Sequence, residues 1–177
     1  MGNYQSEDMK MPPKNLVHPG RLNSEGIGVL YLSSGRRITI NEIRPEVGDE
    51  VATAELTVKR DLNIADLRKL DNIPVFESGV DSEFLVKYQI NRDILNSIST
   101  QMKKPSGSQC NNLDYLPTQY ISDFIKLKYD GIKYGSTLTS KRNRAYNLAL
   151  FSDEDVEVNN ISYKRITSTN YKAIKIR

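Results

Sequence analysis

Tyr129-Asp130-Gly131-Ile132-Lys133-Tyr134-Gly135-Ser136 is the stretch on which the fold turns. Asp130-Gly131 is a tight-turn pair that leads into a short strand over Ile132–Tyr134. Upstream, Leu116–Tyr129 carries Tyr120, Ile121, Phe124, Ile125 and Leu127 at helical spacing, which predicts an amphipathic helix with those side chains toward the core. Downstream, Asn147–Phe151 is a strong strand candidate. A helix, a tight turn and then strands in succession is not the strict alternation of a doubly wound sheet. It points to an α+β fold.

The flanking sequence fits that class. Val29–Ser33 is a short apolar run suited to a buried strand. A helix follows it, with Ser34 or Gly35 near its start and Pro45 just past its end, and Glu42 lies on that helix. Glu50–Lys59 reads as a second strand, and Leu62–Leu70 as a strand turning into a short helix. Glu83–Met102 places Phe84, Leu85, Tyr88, Ile90, Ile94, Leu95 and Ile98 at near-helical spacing. Lys103–Asn112 is a loop, Thr137–Arg144 is polar and reads as mobile, and Val156–Ile166 and Tyr171–Ile176 look like further short strands. Residues 1–15 read as an irregular arm, and residues 16–177 as a single domain.

At 177 residues, 38% of them hydrophobic, the chain builds one core. No run approaches the roughly eighteen apolar residues of a membrane span, so no membrane partner is expected. The polar N-terminus, with Glu7 and Asp8, lacks the apolar centre of a signal peptide, and a cytoplasmic location is expected. The single Cys110 excludes an internal disulfide and fits a reducing compartment. One Cys and one His argue against a zinc site, and no metal is expected. A net charge of +3, from 25 basic and 22 acidic residues, does not by itself argue for nucleic acid. Neither Gly-rich phosphate fingerprint, G-x-G-x-x-G or G-x-x-x-x-G-K-[ST], is present, so a nucleotide site must be built another way.

Four residues are candidates for chemistry. Arg21, between Gly20 and Asn23, offers a planar guanidinium that can clamp a diphosphate with two parallel hydrogen bonds; otherwise it is a surface Arg in a turn. Gly20, Gly26 and Gly28 would let a ligand approach the backbone. Tyr31, within Val29-Leu30-Tyr31-Leu32, is either core with a satisfied hydroxyl or a ring that stacks on a flat cation. Glu42, inside Ile38–Ile43, is a carboxylate that must be paired or functional if it faces inward; an ion pair with Arg44 or Arg37 is the structural alternative. Ser136 follows Gly135 at a strand end and on its own is an ordinary turn serine.

Taken together these segments resemble the RES-domain family, bacterial toxins of Xre–RES toxin–antitoxin systems named for an Arg, a Glu and a Ser. The matching segments are Gly20-Arg21-Leu22-Asn23, Leu30-Tyr31-Leu32-Ser33-Ser34, Glu42-Ile43-Arg44-Pro45, Asp130–Ser136 and Asn147-Leu148-Ala149-Leu150-Phe151. Tyr115-Leu116-Pro117-Thr118-Gln119-Tyr120 also resembles the helix start of a RES subgroup. The likeness covers about residues 10 to 152.

The resemblance implies a mixed-sheet core similar to ADP-ribosyltransferases, with flanking helices, and NAD as substrate. It implies that Arg21 holds the NAD phosphates, that Tyr31 packs on nicotinamide or its ribose, and that Glu42 acts on that ribose. Ser33, Ser136 and Asn147 would line the pocket. The implied activity is cleavage of the nicotinamide–ribose bond by hydrolysis or phosphorolysis. ADP-ribosyl transfer to a protein target and a non-catalytic binding module are the alternatives, and an Xre-type antitoxin is an implied partner. The chain departs from the family pattern at two points. Many members carry a further Arg on a strand upstream of the G-R-x-N segment, and Met1–Asn15 contains no Arg. Lys141-Arg142-Asn143-Arg144 stands where a Gly-rich or polar loop is common.

Overall fold

The structure, a computed structural model, describes residues 3–72, 82–103, 112–136 and 145–169. Thr137–Arg144, most of the Lys103–Asn112 segment, Cys110 and the Tyr171–Ile176 segment lie outside the described residues. Six strands are described: β1 (Leu30–Ser33), β2 (Glu50–Val58), β3 (Ile64–Asp66), β4 (Gly131–Gly135), β5 (Tyr146–Leu150) and β6 (Val156–Arg165). The helices among the described residues are α1 (Arg36–Ile43), α2 (Ser82–Lys103) and α3 (Leu116–Lys126). Leu67–Asn72 forms the short helical turn expected after the Ile64–Asp66 strand.

The fold is α+β, built on a four-stranded mixed sheet in the order β1-β5-β4-β3 and a two-stranded sheet β2-β6. β5 pairs antiparallel with both β1 and β4, while β3 runs parallel to β4. Because directly opposed residues share a sheet face, the register puts Ser33, Asn147 and Tyr134 in one row. Tyr31, Ala149 and Ile132 form the next row on that same face. Leu22, Val29, Ile132, Tyr134 and Ala149 make a buried cluster here, covered by Ile98 of α2 and Ile125 of α3. On the opposite face Leu30 and Leu150 pack with Val156 and Leu56 of the two-stranded sheet. Helices therefore cover one side of the main sheet and a second sheet covers the other. Each fully buried aliphatic side chain in these layers stabilises the fold by about 1.5–3 kcal/mol.

Gly131 is dictated by this packing. A Cβ there would stand 2.5 Å from the Ala149 carbonyl and 2.9 Å from a Leu150 methyl, so β4 can approach β5 only with a bare Cα. Asp130, its neighbour, is a node between the sheets. It receives Arg60 at 2.8 Å and the Asn63 N–H at 2.7 Å, while Arg60 also reaches Asp155 at 2.6 Å. The hydrogen bond from Arg60 holds the Asp130 carboxyl below its usual range.

The N-terminal arm contains two 3₁₀ turns, Glu7–Met9 and Lys14–Leu16. It is tied to the domain by Tyr4 N–H donating to the Tyr163 hydroxyl and Met11 N–H donating to Asp153. No described helix is long and apolar enough to cross a membrane.

One sequence expectation is overturned. Tyr120, Phe124 and Leu127, expected toward the core, are exposed, Tyr120 by 77% and Phe124 by 69%. The buried residues of α3 are Thr118, Gln119 and Ser122. Ile125 packs on the core as expected, and beside it the helix turns these polar groups inward because they meet a row of backbone carbonyls, which need donors rather than methyl groups. On α2, Ile90 and Ile94 are likewise exposed, and Ile98 packs on the core.

Candidate functional site

The carbonyls beneath α3 belong to the loop that carries Arg21. Gly20–Asn23 closes as a tight turn, with Gly20 N–H donating to the Asn23 carbonyl at 2.9 Å. The outward carbonyls are then taken up one by one. Gln119 Nε2 donates to Gly20 O at 2.8 Å and to Asn23 O at 2.9 Å. Thr118 Oγ1 donates to Arg21 O at 2.6 Å, and Ser122 Oγ to Leu22 O at 2.7 Å. From the sheet side, the Tyr31 hydroxyl accepts the Leu22 N–H at 3.0 Å and donates to Asn23 Oδ1 at 2.9 Å. Gly20 is bare for the protein's own sake rather than a ligand's: a Cβ there would lie 2.5 Å from Asn23 Oδ1 and 3.0 Å from the Tyr31 hydroxyl.

Tyr31 combines both roles weighed for it. Its hydroxyl end is buried under the loop, and this burial pushes the phenol up to about 12 despite the Leu22 hydrogen bond and the nearby Arg21 cation. Its ring leaves 45% of the residue's surface open to solvent. The oxygen is structural, and an aromatic face remains free.

Glu42 sits in the last turn of α1. The helix stops there because Arg44 takes the left-handed conformation, φ +48°, and Pro45 follows. The carboxylate is exposed rather than inward-facing, and its bonds to described residues come from two neutral donors instead of an ion pair with Arg37 or Arg44. Asn147 Nδ2 donates to Glu42 Oε1 at 2.7 Å and Ser136 Oγ donates to the same oxygen at 2.9 Å. Asn147 is buried, and its amide is oriented by Ser33, whose hydroxyl donates to Asn147 Oδ1 at 2.8 Å. The other carboxylate oxygen of Glu42 takes no hydrogen bond from a described residue. An anionic group at a helix C-terminus opposes the helix dipole by roughly 0.3–1 kcal/mol, which the two hydrogen bonds at Oε1 offset.

Tyr134 joins the two halves. Burial pushes its phenol well above the usual value, Tyr31 and Glu42 add to the rise, and Arg21 and Asn147 oppose it. One buried hydroxyl thus feels both the Arg21 cation and the Glu42 anion. The five residues singled out from the sequence, Arg21, Tyr31, Glu42, Ser136 and Asn147, gather on the helix-covered face of the main sheet and along its rim, with Ser33 behind Asn147. A separate cleft of about 450 Å³ runs between β1 and β2; it borders Tyr31, Ser33 and Tyr146 but not Arg21, Glu42 or Ser136. At its rim Arg36 is paired with Glu55 at 2.9 Å.

Sequence reasoning missed Thr118, Gln119, Ser122 and Tyr134. The first three recur at i, i+1 and i+4, which is a polar stripe down one side of a helix. That stripe was the available signal, and it was outweighed by the apolar residues on the other side.

The model of the RES domain family matches residues 2–169, nearly the whole chain. The chain belongs to the RES domain family. RES domains are known in toxin–antitoxin systems. No curated protein and no solved structure matches the chain. Among the described residues of this RES domain, the arm upstream of Gly20 holds two 3₁₀ turns.

Proposed function

We propose that this RES domain protein cleaves the bond between nicotinamide and ribose in NAD, with water or phosphate as acceptor. The observation that carries this reading is the Glu42 carboxylate at the rim of the sheet. One oxygen is fixed by Ser136 and Asn147, and the other takes no hydrogen bond from a described residue. When the C1′–N bond breaks, its electron pair leaves with nicotinamide, which departs neutral, and positive charge develops on the ribose. A carboxylate hydrogen-bonded to the ribose hydroxyls stabilises that charge only as it forms, which is what raises turnover. Water then adds its oxygen to C1′ and releases a proton, or phosphate adds in its place. Arg21 holds the diphosphate and the open Tyr31 ring packs on nicotinamide or its ribose, so the bond to be broken is fixed against Glu42.

The test is direct. Purified protein incubated with NAD should release free nicotinamide, with ADP-ribose as co-product in water and its 1″-phosphate in phosphate buffer. Radiolabel from adenine-labelled NAD appearing on protein in a cell extract would redirect the reading to ADP-ribosyl transfer. NAD binding without nicotinamide release would leave a binding module.

A further inference from the structure

We propose that Gln119, with Thr118 and Ser122, is a positioning residue for the anion-binding loop: it acts on the ligand only through Arg21. The inference rests on the reading of the site as one that grips a diphosphate. All four consecutive carbonyls from Gly20 to Asn23 are received by side chains of a single helix turn and a half of α3. Gln119 spans the mouth of the turn, giving one amide hydrogen to each end, Gly20 O and Asn23 O. The direction in which a four-residue turn projects its second residue is set by where its ends and carbonyls are held. That second residue is Arg21.

The same bonds that satisfy the loop's carbonyls also fix its shape. To place Thr118, Gln119 and Ser122 inward, α3 leaves Leu116, Tyr120, Phe124 and Leu127 exposed. On the inward side these polar groups stand beside Ile125, which packs on the core. The helix leaves much of its apolar surface in water and holds all four carbonyls of Gly20–Asn23. A guanidinium fork gives a diphosphate two parallel hydrogen bonds only when it is aimed at the phosphates, so the geometry of its backbone matters more than it would for a point charge.

The experiment is a double-mutant cycle read by ADP-ribose affinity in calorimetry and by the Michaelis constant for NAD. Gln119→Leu and Thr118→Val should each weaken ADP-ribose binding about fivefold to tenfold, the scale of one lost hydrogen bond, and raise the Michaelis constant with turnover unchanged. Thr118→Ser, which keeps the hydroxyl, should restore wild-type values. In an Arg21→Ala background neither Gln119→Leu nor Thr118→Val should weaken binding further. Losses that add to that of Arg21→Ala, or variants that lose melting temperature and keep wild-type affinity, overturn the proposal. Should Gln119→Leu fail to fold, the near-isosteric Thr118→Val with its Thr118→Ser rescue carries the test. A wild-type protein that binds no ADP-ribose and releases no nicotinamide overturns the underlying reading of the site, an outcome distinct from normal binding that ignores Gln119.

Discussion

The Gly20–Asn23 loop is gripped from two sides, by three side chains of α3 above and by Tyr31 below, whereas among the described residues the Glu42 carboxylate takes hydrogen bonds from Ser136 and Asn147 at one oxygen. Leu22 and Asn23 are buried, while Glu42 is exposed at a helix end where its charge opposes the dipole. The contrast matches the work proposed for each end. A phosphate grip gains from being formed before the ligand arrives, since rigid donors lose little entropy on binding. A carboxylate that stabilises charge only in the transition state needs one fixed oxygen for direction and one open oxygen for the substrate.

The sharpest way to break this comparison is Glu42→Gln. The amide oxygen can still accept from Ser136 and Asn147, so the shape of the site survives while its charge does not. Nicotinamide release should fall by roughly 10²-fold or more in turnover, with little change in the Michaelis constant. Melting temperature should stay nearly level, because removing an unfavourable charge at a helix C-terminus is set against weaker hydrogen bonds from Ser136 and Asn147. Wild-type turnover in this variant would remove Glu42 from the mechanism.

Arg21→Lys probes the other end. Lysine keeps the charge and loses the fork. The expected result is a Michaelis constant raised about tenfold to a hundredfold, in line with losing one charge-assisted hydrogen bond, with turnover close to wild type. A variant that lost turnover instead would mean that Arg21 acts on the reacting centre, and the division of labour between the two ends would fail.

Much of this was legible in the sequence, and what was not has a physical cause. The strand Ile132–Tyr134, the helix bearing Glu42 and the strand Asn147–Phe151 were announced by Asp130-Gly131, Pro45 and apolar runs, all of them local signals. The convergence of Arg21, Tyr31, Glu42 and Ser136 could be expected only from the family resemblance, because nothing local brings residue 21 beside residue 119 or residue 42 beside residue 147. The facing of α3 was misread for a related reason. Periodicity reports that a helix has two unlike faces, but which face is buried depends on what the remainder of the chain offers it. Here that was a loop rich in carbonyls, more than ninety residues away in sequence.

Tyr31→Phe tests the loop's anchorage. It strips the buried Leu22 N–H and Asn23 Oδ1 of their partner, which should cost about 1–3 kcal/mol of stability, read from urea unfolding. The pH dependence carries the sign. Tyr31 keeps its proton in the folded state up to about 12, against an ordinary value of 10.0. Between those values the folded form binds a proton that the unfolded form has lost, so this contribution is whole below pH 10 and drains away as pH rises to about 12. Tyr31→Phe should therefore flatten part of the alkaline loss of stability, while Tyr134, also raised, retains the rest. An unchanged alkaline limb would place the Tyr31 hydroxyl in solvent.

The smallest effect belongs to Ser136→Ala. Ser136 supplies one of two bonds to Glu42 Oε1, at 2.9 Å, and the shorter bond, at 2.7 Å, comes from Asn147. Asn147 is buried in the central strand and oriented by Ser33, so it holds its position without help from Ser136. Losing the serine should let the carboxylate swing about one remaining anchor. Turnover should fall roughly threefold to tenfold, the scale of one neutral hydrogen bond, with the Michaelis constant and stability unmoved. Asn147→Ala, which removes the stiffer anchor and leaves the Ser33 hydroxyl without its acceptor, should cost more on both measures. If Ser136→Ala instead matches Glu42→Gln in severity, Ser136 contacts the substrate directly. The Glu42 end would then be a two-residue catalytic pair, and no longer a carboxylate with a lightly built support.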